Sequence, residues 1–505
     1  MIVHKLNESY SAIEADPQTI KNMFEYLKVE RPGAYFDPLV KSGFKSPYDY
    51  FASIQNKQLL VMNGHLQLLS SFGVKTEVEE SCFSSETLDE YVNDVKQILP
   101  FPPYDFQEKA FKEAVLNGKQ INKMCTGSGK SMTISLIAEF FRRRGMKGLL
   151  LVPNINLLTQ FKNDIKDYNL LDLYNDTHTI GGGNSDRHFD CSLTISTWQS
   201  MMNYKDELDK LDYVITDEAH RFASAETSAI VQETVNCKFK WGFTGTLPED
   251  PVMKMQLFGL FGLPKTYITS AGLIERGLAT PIKINSIIFK YSRQDKNVFK
   301  DEKQYTKQLK FLKDHDPRNE FITNLAVKLK NHGNNLILFQ HTDHGKLLFL
   351  DTMKKLYPDV EVANKDITGK KSFEFQEQYG VYFLNGEDDA KTREKTRQVL
   401  ESHNDAILIA NYALLSTGVN IKKLHNMVLA SPLKAYTTVT QSIGRGMRLH
   451  ESKKEFTVYD LVDDMGIRKP GGIFYKQYEH RKNTSYNPEE FPVREIDYPL
   501  FNAFD

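Results

Sequence analysis

Residues 120–143 read QINKMCTGSGKSMTISLIAEFFRR. The short stretch Gln120–Met124 predicts a strand. The run Ser131–Arg143 predicts a helix, and the turn between them is rich in glycine. A strand, a glycine turn and a helix in that order are the setting of a phosphate-binding loop. In the turn Thr126-Gly127-Ser128-Gly129, the two glycines would let backbone N–H groups approach an anion closely. The helix amino end would add its partial positive charge. Lys130 is then placed to reach the β and γ phosphates of a nucleotide, and the Ser131 hydroxyl to hold Mg²⁺. The full GxxxxGK[ST] pattern has a glycine where Met124 stands.

Working outward, the same alternation continues on both sides. Strands are predicted at Gly148–Val152, Leu193–Ser196, Tyr213–Thr216 and Trp241–Thr244, with a helix at Asn156–Tyr168. Short apolar strands alternating with helices predict a parallel sheet covered on both faces. The pattern restarts at Asn335–Phe339, Val381–Leu384, Ala406–Ile409 and Met427–Ala430. The fold class is therefore α/β, with two parallel-sheet domains in tandem at 101–280 and 281–465 and a connecting stretch near 280–320. Residues 1–80 predict a small α+β domain, with a helix over Thr19–Val29 and strands near Tyr50–Ile54 and Gln58–Val61. An acid-rich stretch before Pro100, carrying Glu86, Asp89, Glu90 and Asp94, reads as a linker (81–100) with room for one helix. Residues 466–505 are left as a tail.

Composition narrows the class. The 505 residues are 40% apolar and 26% charged, enough to bury cores, and the formal net charge is −1. Any basic nucleic-acid face must then be local. The cysteines Cys82, Cys125, Cys191 and Cys237 are far apart, which argues against structural zinc and disulfides and fits a reducing cytosol. The start MIVHKLNESYSAIEADPQ has no secretory pattern, and no apolar run is long enough to span a bilayer.

Two further motifs carry chemistry. Asp217-Glu218-Ala219-His220 closes the predicted strand Tyr213–Thr216, where acids of a parallel sheet face the ligand crevice. Asp217 is assigned to the metal and Glu218 to the attacking water. In the second α/β domain, Gln441-Ser442-Ile443-Gly444-Arg445-Gly446-Met447-Arg448 places two arginines three apart, on one face if helical. Arginines delivered across a cleft to a γ phosphate would stabilise transition-state charge; the alternative is a solvated basic helix.

The order of these motifs, with Thr244-Gly245-Thr246 and Ser416-Thr417-Gly418-Val419-Asn420 between them, resembles the superfamily-two DEAH-box helicases over about residues 104–450. Ile180-Gly181-Gly182-Gly183, Ser196-Thr197-Trp198-Gln199-Ser200, His341-Thr342-Asp343-His344-Gly345-Lys346 and Ser442-Ile443-Gly444-Arg445 look like the bacteriophage UvsW-type recombination helicases. The resemblance implies RecA-like domains, ATP and Mg²⁺ as cofactors, and a 3′–5′ motor. It implies unwinding and branch migration of forks, Holliday junctions, D-loops and R-loops in recombination, repair and replication. The partners implied are single-stranded and branched duplex DNA, with an RNA–DNA hybrid admitted; a monomer acting away from membranes in the host-cell cytoplasm is expected. Carried over residue by residue, Gln107 reads adenine, Thr244, Gly245 and Thr246 couple hydrolysis to movement, Gly418 touches nucleotide, and Gln441, Arg445 and Arg448 act on the phosphates.

Nucleic-acid contacts are expected from Pro153, Asn154, Thr197, Trp198, Gln199, His341, Thr342 and Thr417. Trp198 could stack on a base, but packing in the core is the preferred reading. Lys41, Lys45 and Lys57 with Tyr48, Tyr50 and Phe51 could grip duplex DNA or simply supply an aromatic core. The stretch Val360–Gln378, with Lys365, Lys370 and Lys371, is read as a longer surface hairpin in preference to a DNA contact. Arg468, Lys469, Lys476, Arg481 and Lys482 extend a groove or solvate a helix. The rivals are an RNA helicase, a double-strand DNA translocase, and an ATP-gated binding or annealing module.

Overall fold

The computed structural model describes residues 1–75, 82–181, 189–301, 304–368, 372–412, 421–432, 436–467 and 469–501. They form two compact units, Met1–Ile268 and Thr269–Asp505.

The first unit begins with a small antiparallel sheet. Its strands are β1 (Ile2–Lys5), β2 (Tyr10–Glu14), β5 (Ala52–Gln55) and β6 (Gln58–Met62), in the order β1-β2-β6-β5. A separate ribbon pairs β3 (Lys28–Glu30) with β4 (Tyr48–Tyr50). The helix Pro17–Tyr26 starts where Asp16 caps the N–H groups of Gln18 and Thr19. It buries Ile20 and Met23 against Ile13, Leu59 and Val61.

The larger part of this unit is a parallel sheet. Its strands are β7 (Lys119–Met124), β8 (Gly148–Val152), β9 (Thr177–Ile180), β10 (Leu193–Thr197), β11 (Tyr213–Asp217), β12 (Phe239–Thr244) and β13 (Pro264–Ile268). The order is β13-β7-β12-β11-β8-β10-β9. β8, β10 and β12 are buried along their whole length, and in β8 this goes with the unbroken apolar run Leu149–Val152. Gly148 opens β8 because the Tyr213 ring lies where its Cβ would be. Trp241 is fully buried, and its indole N–H donates to Ala114 O at 2.7 Å.

The small sheet is fixed to the large one. Ser9 Oγ donates to Gln232 O at 2.8 Å, Lys119 Nζ pairs with Glu8 at 2.9 Å, and the buried Lys240 Nζ donates to Ser9 Oγ at 2.7 Å. His65 bonds Met255 O at 2.8 Å on the helix Pro251–Phe261. Gly64 meets that helix so closely that a Cβ would fall on Phe258 O.

The stretch read as an acidic linker with room for one helix holds the helix Ser85–Lys96, which buries Leu88, Tyr91, Val92 and Val95. Tyr91 donates to Leu136 O at 2.8 Å and packs on Phe111 and Phe140. Its acids Glu86, Asp89, Glu90 and Asp94 line the outer face of an amphipathic helix.

The second unit carries another parallel sheet: β14 (Ile282–Lys290), β15 (Asn335–Phe339), β16 (Val381–Leu384), β17 (Ile407–Asn411), β18 (Asn426–Leu429), β19 (Phe456–Asp464) and β20 (Val493–Pro499). The order is β16-β17-β15-β18-β19-β14-β20. The expected connecting stretch near 280–320 therefore contains a buried strand, β14, and the helix Asp316–Leu329 that covers the sheet. The tail is also part of the fold: the helix Ile473–Arg481 packs on β19, and β20 pairs with β14 in parallel.

Two acids three apart on β19 point to opposite faces. Asp463 takes Arg318 Nε at 2.8 Å and Tyr291 OH at 2.7 Å. Asp460 takes Arg481 Nη2 at 2.8 Å and Tyr486 OH at 2.7 Å. Arg481 thus neither extends a groove nor solvates a helix; it is buried as an ion-pair partner. Lys469, Lys476 and Lys482 stay at the surface or half-buried, and Arg468 lies outside the described residues. Val360–Gln378 is not a hairpin. It holds the short helix Asn364–Ile367 and the helix Ser372–Tyr379, with Ile367 buried and Gln376 donating to Ile367 O at 2.9 Å. Lys370 and Lys371 lie outside the described residues.

Candidate nucleotide and nucleic-acid site

The phosphate loop forms where expected, between β7 and the helix Lys130–Arg142. Gly127 and Gly129 have φ of 86° and 73°, a backbone that L side chains rarely adopt. Gly129 is the residue before the helix; among the described residues no side chain caps that helix, and its first turn carries no acid. Met132 N–H bonds back to Gly129 O at 3.0 Å, and with no side-chain cap the earlier N–H groups, those of Lys130 and Ser131, face the mouth of the loop. Ser128 is buried and ties back to Cys125 O at 2.7 Å, while Lys130 and Ser131 are half-buried at the mouth of the loop beside Thr126.

Gln107 lies directly behind the loop. Its Nε2 donates to Ser128 O at 2.8 Å, and its Oε1 accepts from Tyr104 N at 2.9 Å. The side chain expected to face adenine is here buried and buttresses the loop.

Asp217 and Glu218 stand at the end of β11. β12 lies between β11 and β7, so the acids and the loop sit on strands one apart, not on neighbours. Burial first, then the charge of Glu218, pushes the Asp217 carboxyl well above the usual carboxylate range, while Lys130 opposes the shift. Glu218 takes a left-handed backbone, φ 51°, and opens a short 3-10 turn. Such strain in a residue other than glycine belongs to sites where an orientation is imposed.

Thr244-Gly245-Thr246 ends β12, between the acids and the loop. Thr244 Oγ1 donates to Thr246 O at 2.6 Å, so it must accept from His220 Nδ1 at 2.9 Å. Burial lowers the His220 pKa, keeping the ring neutral with its proton on Nδ1. A Cβ at Gly245 would stand 3.4 Å from Met124 O and Thr126 N, so this turn rests on the phosphate loop. A chain of contacts thus runs from Glu218 through His220, which stand 3.4 Å apart, to the loop.

The sequence did not single out Tyr168. It follows the helix Ile155–Asp167, and its hydroxyl is 2.8 Å from Ser131 Oγ. Burial pushes its pKa up to about 12, so the phenol is neutral near neutral pH.

The expected nucleic-acid contacts are placed as follows. Pro153 and Asn154 follow β8, and Asn154 caps the helix Ile155–Asp167 by accepting from Leu157 N at 3.0 Å. Thr197 is buried and caps the helix Trp198–Met201. Trp198 is half-buried against the core, as preferred, and Gln199 is exposed. In the small domain Tyr50 stacks on Phe24, and Phe51 packs into the core, so these rings serve packing; Lys41, Lys45 and Lys57 are exposed.

In the second unit, His341 and Thr342 begin the helix Thr342–Leu356, with Thr342 exposed. Gln441 and Arg445 lie on the helix Tyr436–Gly446; Arg448 falls beyond its end, its N–H directed at Arg445 O. Lys453, another residue the motifs did not flag, donates to Gly446 O at 2.6 Å and Lys422 O at 3.0 Å and holds that end in place. Thr417 and Gly418 lie outside the described residues. Among the described residues no cluster of His, Cys, Asp and Glu forms a separate metal centre, and no helix is long and apolar enough to cross a membrane.

Comparisons with known proteins agree with this arrangement. Residues 100–249 match the family described as the type III restriction enzyme res subunit. The ATP-dependent DNA helicase UvsW of Enterobacteria phage T4 is 28% identical over 495 residues, 95% of this chain and 93% of that protein. The DNA 3′-5′ translocase XPB2 of Sulfurisphaera tokodaii is 28% identical over 241 residues, 46% of this chain and 49% of that one. Among solved structures, a fragment described as an HsdR subunit of a type I restriction enzyme from Vibrio vulnificus superposes with a TM-score of 0.57 at 19% identity, covering 86% of this chain and 73% of that chain. That likeness speaks for the fold.

Proposed function

We propose that this chain, which is similar to the phage UvsW helicase over 95% of its length, is an ATP-hydrolysing DNA helicase that unwinds and branch-migrates branched DNA. The observation that carries the reading is the meeting of three motifs at the carboxyl ends of β7, β12 and β11, joined through His220, Thr244 and Gly245.

Each residue has a role its surroundings suit. Lys130, with the amino end of its helix and the backbone of the glycine turn, binds the β and γ phosphates. Glu218, held in its strained backbone, orients the attacking water. Asp217 and Ser131 would hold Mg²⁺. Hard oxygen donors suit that ion, and a buried carboxyl pushed upward beside a second acid is a surplus of negative charge that a divalent cation offsets. When bound, the ion supplies charge neutralisation at the phosphates. The chain from His220 to Thr246 passes the state of the acids to the turn behind the loop. Gln107 holds the loop's shape and reads the base beside it. Gln441, Arg445 and Arg448 on the second unit are assigned to the phosphates, with Gly418. Single-stranded DNA is assigned to Pro153, Asn154, Thr197, Trp198, Gln199, His341, Thr342 and Thr417.

The test is strand displacement with ATP on forks, Holliday junctions, D-loops and R-loops, beside linear duplex and RNA. ATP-dependent product on branched DNA, lost in Lys130→Ala while DNA binding persists, supports the reading. ATPase stimulated only by linear duplex or RNA, or turnover undiminished in Lys130→Ala, overturns it.

A further inference from the structure

Tyr168 touches the phosphate loop at its metal-facing hydroxyl, and its position is built. The residue closes the helix Ile155–Asp167, with its N–H bonded to Asp164 O at 2.9 Å. The next residue, Asn169, turns left-handed (φ 60°), and its side chain donates to Ile98 O at 2.9 Å. The Phe101 ring meets the Tyr168 ring edge to face at 6.1 Å. These contacts fix the ring against the segment that leads into Gln107 and leave its hydroxyl 2.8 Å from Ser131 Oγ.

From this geometry we infer that Tyr168 is a positioning residue for the metal-binding hydroxyl of Ser131; the inference rests on the reading of Ser131 as a Mg²⁺ ligand. A serine hydroxyl has one proton and two lone pairs. To offer a lone pair to a cation, it must send its proton elsewhere. The phenol oxygen accepts that proton and turns the lone pairs toward the mouth of the loop, the part that outer partners play for metal ligands in general. The helix that ends at Tyr168 begins at Asn154, a proposed DNA contact, so one rigid element spans from nucleic acid to the metal ligand. A shift of this helix would change how well Ser131 can bind the ion.

The experiment measures the Kd of a non-hydrolysable ATP analogue, in excess Mg²⁺ and in EDTA, for wild type, Tyr168→Phe and Ser131→Ala. Phenylalanine keeps the ring and its packing, and thermal melting checks that the variant is folded. The EDTA-to-Mg²⁺ ratio of Kd should fall about tenfold in Tyr168→Phe, the lower end of what loss of an outer partner costs a metal site, with the EDTA value unchanged. It should collapse in Ser131→Ala. A wild-type ratio in Tyr168→Phe, or one that rises, overturns the role of Tyr168 while leaving the site reading intact if Ser131→Ala still collapses. A wild-type ratio in Ser131→Ala overturns the site reading and this inference with it.

Discussion

Gly129 shows how much rests on one missing Cβ. Its φ of 73° disfavours any side chain, and an added Cβ would fall on Gln107 Nε2. Gly129→Ala should therefore cost about 1–2 kcal/mol of backbone strain and dislodge the buttress behind the loop. The expected outcome is a nucleotide Kd raised about tenfold or more, measured by equilibrium binding. Lys240 is a different case. Burial lowers its pKa from 10.5 to about 7. Between those values the unfolded chain binds more protons than the folded one, so stability rises with pH. Relative to Lys240→Met, the wild type should gain at most about 1.4 kcal/mol per pH unit from pH 7 to 9, read from denaturant melts. At this scale Lys130, Asp217 and Glu218 could be picked out of the sequence as candidates because their residue types sit in local patterns. The sequence hid Tyr168 and Lys240, whose partners lie on other elements.

Among elements, β19 is the one most dependent on distant help. Its acids Asp460 and Asp463 are buried, and each is matched by an arginine from a separate helix. Arg481→Ala strands the Asp460 charge and should destabilise the second unit by about 3–5 kcal/mol; replacing both partners, Asp460→Leu with Arg481→Met, should recover most of it in calorimetry. The same arrangement explains why β19 escaped sequence reading. A strand spelled FTVYDLVDD looks too acidic for a core until Arg318 and Arg481 are in place. β14 was passed over because it falls in a stretch already taken as a connection. By contrast β8, β11 and β15 were legible, since near-complete burial leaves a largely apolar run bounded by turn residues, and β7 was legible from the glycine turn that follows it.

For the whole molecule, the small N-terminal sheet and the first parallel sheet share one cooperative body. Gly64 packs tightly on the helix Pro251–Phe261, and a side chain there meets the carbonyl of Phe258. Gly64→Val should cost about 1–3 kcal/mol by overpacking and make the segment 63–72 newly sensitive to limited proteolysis; protection unchanged from wild type would count against tight docking. The indole of Trp241, sealed beneath Ala114, has a use of its own. The chain has two tryptophans, Trp198 and Trp241, and both belong to the first unit. Tryptophan fluorescence, excited where tyrosine does not absorb, therefore watches that unit alone, while circular dichroism watches both. Trp241 sits in a dry core and Trp198 is half-buried near the proposed DNA contacts, so a spectral change on adding DNA without unfolding would belong to Trp198. The chain thus carries its own label for separating ligand binding from unfolding, with no dye attached.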